Sequence, residues 1–249
     1  MPPPIALQLY SVRDILPKDP KGVIRKIAEM GYIGVETAGL PGMSLAESAK
    51  FYKEVGLMVS SAHSSPPIGD KKNEVLDFAK TLGIKRLVGG RGPDDFKTVE
   101  KIRATCEGFN VASRACRENG LEYAIHNHWW EFITLDGKPV YKYMLEYLEP
   151  HVQFQIDVYW VQTGGCNPAA VLKEVGKRAT LLHIKDGPCE REKVMTAVGD
   201  GKVDMGAISK VAQADWWIVE LDRCDTDMME AVHKSYKFLT SKGYTRGKR

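Results

Sequence analysis

No stretch of the chain approaches the roughly 20 consecutive apolar residues that a membrane-spanning helix requires. Charge of one sign is also lacking: 35 Lys plus Arg against 32 Asp plus Glu leave a net charge of +3, far from the dense basic balance that holds nucleic-acid backbones. Nucleic acid is therefore not favoured as a partner. Cysteine is sparse and unframed. None of the five forms a CxxC pair, and Cys106 and Cys116 lie on what reads as one helix, about 15 Å apart and too far to bridge. An odd count without a framework fits a reducing compartment. Residues 1–4 (MPPP) carry neither the basic flank nor the apolar run of a signal peptide, so a cytoplasmic location is expected. No linker rich in Pro, Gly or Ser divides the chain. No G-x-G-x-x-G follows the first apolar run, where LQLYSVRD stands instead, so a dinucleotide-binding sheet loses its main support.

What is present is a recurring unit: a helix-period segment, a glycine, then a short apolar run. It appears at residues 31–36 (GYIGVE), 56–60 (GLMVS), 83–88 (GIKRLV) and 120–125 (GLEYAI). A glycine there suits the left-handed residue past a helix end, and the apolar run suits a strand buried on both faces. Helix starts agree. Asp19-Pro20 and Asn167-Pro168 each offer a cap with a first-turn proline, and Ser44 with Glu47 makes a capping box. Val99, Ile102, Cys106, Phe109 and Ala112 keep helical spacing, as do Met229, Val232, Tyr236 and Leu239. Predicted strands are 5–10, 33–36, 57–62, 85–88, 121–126, 152–157, 180–184 and 217–221. Eight strands alternating with helices in 249 residues, about the usual length of one such barrel, predict a single (β/α)8 TIM barrel occupying 1–249 as one domain.

Chemistry in such a barrel sits where the strands end. Glu36 ends the second strand and His63 the third; His126 and His128 end the fifth, Asp157 the sixth, His183 and Lys185 the seventh, and Glu220 and Asp222 the eighth. Burying so many ionisable groups on one rim is costly unless a metal or substrate compensates them. Imidazole and carboxylate donors without thiolate suit Mn²⁺, Zn²⁺, Fe²⁺ or Co²⁺, whereas Mg²⁺ prefers more oxygen. Alternation puts His126 and His128 on one side of their strand and Asn127 on the other. One of the two histidines then reads as a ligand and the other as an acid/base group, with Glu131 able to take either role if the strand bends early. Lys185 shares a face with His183, and beside a metal its charge is disfavoured, which suits it to bind a substrate oxygen or donate a proton. Trp129, Trp130, Tyr159 and Trp160 follow the fifth and sixth strands and can stack on a substrate's ring. Residues 89–92 (GGRG) read either as an anion cradle or as a turn.

The segments 7–14 (LQLYSVRD), 31–36 (GYIGVE), 126–132 (HNHWWEF), 155–157 (QID), 183–186 (HIKD), 198–204 (VGDGKVD) and 219–222 (VELD) together resemble the xylose-isomerase-like TIM barrel superfamily, the sugar phosphate isomerase/epimerase group. The resemblance spans nearly the whole chain. It implies one divalent metal, Mn²⁺ first among the candidates with Mg²⁺ also compatible, held by His126, Asp157, His183 and Glu220. It implies a carbohydrate or cyclitol substrate and proton abstraction next to a carbonyl, with His128 and Glu36 as bases and Lys185 as electrophilic group. His63, Trp129, Trp160 and Asp222 are the expected substrate contacts. Sugar isomerases and 3-epimerases of the group usually carry glutamate at the strand-five position and shuttle the proton between two glutamates. His126 stands there instead, similar to inosose-dehydratase-like members, which keeps a lyase open beside the isomerase. A non-catalytic sugar-binding barrel and an abasic-site endonuclease are the further alternatives. The widest spare stretch, 187–203, is the expected lid, and a second subunit of a homo-oligomer is a candidate for the remaining wall.

Overall fold

The computed structural model describes residues 1–248. Eight parallel strands close into a barrel: β1 (Ile5–Gln8), β2 (Gly34–Thr37), β3 (Met58–His63), β4 (Arg86–Gly89), β5 (Glu122–His126), β6 (Gln153–Asp157), β7 (Ala179–Ile184) and β8 (Trp216–Val219). Each pairs with its neighbours in sequence, and β8 returns to β1 through Trp217 opposite Ile5 and Val219 opposite Leu7. The single (β/α)8 TIM barrel expected from eight strands alternating with helices is the fold observed.

Local sequence explains the elements. Asp19 caps α1 (Pro20–Glu29), Ser44 and Glu47 form the expected box at α2 (Leu45–Glu54), and Gly83 ends α3 (Lys72–Leu82) in the left-handed conformation. Thr98 caps the long α4 (Val99–Glu118), and Asn167 accepts the Ala170 N–H at the start of α7 (Pro168–Val175). A two-stranded hairpin (Thr134–Leu135 with Lys138–Pro139) separates β5 from α5 (Val140–Tyr147), and α6 (Val158–Thr163) follows β6 at once. The path from β7 to the short α8 (Met205–Ser209) is a long loop, and α9 (Met228–Ser241) closes the outer ring.

Apolar side chains between strands and helices make one continuous core, while a smaller cluster of Ala6, Val88, Ala124, Leu181 and Ile218 fills the barrel axis. At the carboxyl end of the strands the axis turns polar. The ladder sets Gln8 opposite Glu36 and Glu36 opposite Ser61, then His126 opposite Gln155 and Asp157 opposite His183. Register shifts fall between Val35 and Glu36 and between Phe154 and Gln155, bulges of the kind that re-aim side chains beside active sites. The interior of the fold thus ends in a floor of hydrogen-bonding groups.

Candidate active site

Glu36 is the hub of that floor and is fully buried. Gln8 Nε2 donates to its Oε1 at 2.6 Å, Gln155 Nε2 to its Oε2 at 2.5 Å, and Ser61 Oγ also donates to Oε2. His183 Nε2 lies 2.5 Å and His63 Nε2 3.2 Å from Oε1. Burial opposes ionisation of Glu36, but the charges and hydrogen bonds of His183 and His63 outweigh it and hold the carboxyl well below the usual range. The expectation that Glu36 acts as a base needs correction on this geometry. Its oxygens are taken by protein donors, and it lies beneath the cavity instead of facing it. Gln155 is the second hub, its Oε1 2.9 Å from His63 Nε2 and 3.0 Å from His126 Nδ1.

Above the floor, one donor atom each from His126, Asp157, His183 and Glu220 come within 4.8 Å of one another, all buried. With Nδ1 of His126 engaged by Gln155, its Nε2 is left for a ligand. Burial first, then the neighbouring histidines, lower its pKa well below the ordinary value, so the ring is neutral and able to donate a lone pair. His183 Nδ1 is 2.8 Å from Glu220 Oε2 without a hydrogen bond's alignment, and buried Asp157 Oδ2 likewise lacks one. Buried donor atoms on adjacent strands, close to charged neighbours but without aligned hydrogen bonds, are what a coordinated cation would satisfy. Two imidazoles and two carboxylates therefore fit a divalent ion of intermediate hardness. A second group, His63, His126 and His183, shares two of these histidines.

Lys185 is buried beside the same carboxylates. Its Nζ lies 2.8 Å from Glu220, 3.1 Å from Asp157, and 2.9 and 3.0 Å from the two oxygens of Asp222. Burial disfavours the ammonium, but Asp157, Glu220 and Asp222 overcome it and raise its pKa well above the ordinary value. Burial likewise pushes Asp157 up to about 6 against the pull of Lys185 and His183, while His183, burial notwithstanding, is raised to about 10 by Glu36 and Glu220. Three carboxylates of the same rim thus hold Lys185.

A cavity of about 570 Å³ opens over these groups, lined by His63, His126, His128, Trp160, Lys185 and Asp222 among others. His128 has no hydrogen bond to its ring, which stacks on Trp130 at 4.1 Å and 14°. Burial and the Lys185 charge lower its pKa to about 4. Asn127 points away as alternation requires, accepting the Asp157 N–H at 3.0 Å. Trp129 is not among the residues lining the cavity; the Arg191 guanidinium covers its ring at 3.5 Å, so it packs under the long loop. Tyr159 is buried and reaches the Glu190 carbonyl. Glu131 lies outside the donor group, its Oε2 accepting the His128 N–H at 2.9 Å. In the 89–92 segment the Arg91 guanidinium lies over Phe109, 5.3 Å away.

Sequence reasoning passed over Gln8, Ser61 and Gln155 in the floor. Alternation was signal enough for Gln155, which shares a face with Asp157. Asp186 was also missed. Its carboxylate accepts N–H groups from Gly187, Gly199, Gly201 and Val203 at 2.8 to 3.2 Å, tying both ends of the 187–203 loop to β7.

Similar folds carry related names. A sugar phosphate isomerase/epimerase from Parabacteroides distasonis ATCC 8503 superposes with a TM-score of 0.81 at 23% identity, over 99% of this chain and 96% of that one. The probable 3-DHS dehydratase AsbF of Bacillus anthracis, involved in petrobactin synthesis, gives 0.76 at 12% identity over 95% and 98% of the two chains. A D-allulose 3-epimerase from Methylomonas sp. gives 0.70 at 15% identity over 97% and 98%. At these identities the likeness is one of fold. No curated protein matches the sequence. Residues 24–241 match the model of the xylose isomerase-like TIM barrel family, and the chain belongs to that family.

Proposed function

We propose that the protein is a metal-dependent isomerase or epimerase acting on a small hydroxy-carbonyl compound of the carbohydrate class. The observation that carries this reading is the buried His126, Asp157, His183 and Glu220 group, placed under a cavity that His128 and Lys185 both line. A divalent ion bound by the four, Mn²⁺ first, would polarise the substrate carbonyl and acidify the adjacent C–H. His128 takes the proton at Nε2, the ring nitrogen not sealed off by burial, and the stack on Trp130 fixes the ring's plane. Lys185 Nζ hydrogen-bonds the substrate oxygen next to the reacting carbon, and His63 and Trp160 orient the remainder. Glu36 acts through His183, accepting at its Nε2 and thereby turning Nδ1 toward the donor group.

The dehydratase reading has one observation in its favour. Lys185 and His128 line the same cavity, and an acid facing a base is what loss of a β-hydroxyl needs. One experiment covers both readings. Polyols, ketoses and keto-sugars are incubated in heavy water and followed for deuterium uptake at carbon, with the product mass reporting whether water is lost. Metal analysis accompanies it. His126→Ala and His183→Ala should lower metal content, while His128→Ala should keep the metal and stop exchange. Unchanged metal in both ligand variants, or no exchange with any member of the panel, overturns the proposal.

A further inference from the structure

Two arginines at the cavity have no part in the donor group or in proton transfer. Arg13, just past the turn that follows β1, and Arg223, just past β8, both line the cavity. Among the described residues neither guanidinium has a carboxylate within ion-pair distance. Each is held by backbone carbonyls instead. Arg13 Nη1 donates to the Tyr10 carbonyl at 2.9 Å and Nη2 to the Asp222 carbonyl at 2.7 Å, with the guanidinium 4.1 Å from the centre of the Tyr10 ring. Arg223 Nε donates to the Lys193 carbonyl at 3.3 Å and Nη2 to that of Arg191. A carbonyl orients a guanidinium without neutralising it, and each arginine keeps most of its five N–H donors free. The Asp222 carboxylate, on the same cavity, is turned to Lys185.

The charge count points the same way. Asp157, Glu220 and Asp222 face Lys185 and a site that fits a divalent ion, three negative charges against three positive ones. Arg13 and Arg223 add two further positive charges that no carboxylate among the described residues pairs. A neutral sugar makes no use of two oriented, unneutralised guanidiniums, whereas a carboxylate or a phosphate matches their planar fork.

We propose that Arg13 and Arg223 form an anion subsite at the cavity mouth, so that the substrate is an acidic carbohydrate carrying a carboxylate or phosphate away from the reacting carbon. The inference rests on the function proposed above for its reacting end, but the subsite is tested by binding alone. Calorimetric titration of the Mn²⁺-treated protein with D-glucose, D-glucuronate and D-glucose 6-phosphate separates the cases. At least one anionic probe should bind about tenfold to a hundredfold tighter than D-glucose, the range for hydrogen bonds to charged groups, with a gap that narrows as salt is added. Preference for the glucuronate assigns a carboxylate, and preference for the 6-phosphate a phosphate. Arg13→Gln and Arg223→Gln should each remove most of the gap while leaving D-glucose binding in place. Arg13→Lys, which keeps the charge but not the paired carbonyl contacts, should retain part of it. Equal binding of all three probes, no binding of either anion, or an Arg13→Lys variant as impaired as Arg13→Gln, as a purely structural clamp requires, would overturn the subsite. Deuterium exchange is read separately, so a protein that exchanges without anion preference loses only this inference, and one that prefers anions without exchanging loses only the proposed reaction.

Discussion

Replacing Lys185 with methionine tests whether the carboxylate cluster is built around a cation that an ion can replace. The side chain is only 2% exposed, and its ammonium contacts fully buried Asp157 and nearly buried Glu220 as well as Asp222, which keeps contact with water. Methionine preserves the stem's packing and removes the charge, so the loss is set by the two buried carboxylates left facing each other. Removing one partner of a buried ion pair costs about 3–5 kcal/mol, and a domain of this size shifts by about 2–4 °C per kcal/mol, so the metal-free variant should melt roughly 6–20 °C below wild type. Saturating Mn²⁺ places positive charge among the same carboxylates. The variant should therefore gain more from Mn²⁺ than wild type does and recover most of its deficit. Thermal unfolding of both proteins, in chelator and in Mn²⁺, measures the four midpoints needed. A deficit that Mn²⁺ leaves untouched, although wild type binds the ion, would show that ammonium and ion do not share these carboxylates. No deficit in chelator would show that the cluster needs neither.

Glu131 should make stability fall with rising pH. Burial pushes its carboxyl up to about 8 from about 4.5, so the stability it contributes is complete below pH 4.5 and lost as pH rises through 8; denaturant titrations at pH 6 and pH 9 should show this drop in wild type and a smaller one in Glu131→Gln. Asp186→Asn replaces an oxygen that accepts backbone N–H groups with an amide donor, and should speed hydrogen exchange across 187–203 while leaving the barrel strands protected. Gly201→Ala should do the same by another route, because a Cβ there would stand 2.0 Å from Asp186 Oδ1; unchanged exchange in both variants would contradict the anchor. His126→Glu should retain the metal and weaken anionic probes relative to D-glucose in the same calorimetric titration.

The barrel was legible because its signals are local. Gly31, Gly56, Gly83 and Gly120 all adopt positive φ where the repeat placed them, and the caps at Asp19, Ser44 and Asn167 are made as their spacing predicts. Strand ends were less legible. The first predicted strand runs to Tyr10, but the Gln8 side chain accepts the Tyr10 N–H and turns the chain into a 3-10 turn (Leu9–Val12). The donor residues could be read off as strand endings, whereas the depth of Glu36 could not. It depends on a bulge beside Glu36 and on Gln155, which lies 119 residues away. Arg13 was equally hidden, since its partner at Asp222 is 209 residues distant and meets it only because β8 closes against β1.

His126 and the two arginines bear on one question, the charge the site can accept. A glutamate in place of His126 would give a donor group of three carboxylates and one imidazole; the histidine leaves two of each, and its neutral form adds no charge beside a bound ion. Charge–charge repulsion at short range in a partly desolvated cavity is worth several kcal/mol, so removing one carboxylate changes which substrates can approach. A neutral ketose is nearly indifferent to that change, but an anion is not. With Arg13 and Arg223 at the mouth, the substitution at strand five and the basic rim favour the same ligand from opposite ends of the cavity. The departure from a two-glutamate proton shuttle and the preference for an acidic substrate then follow from one adjustment of the site's charge.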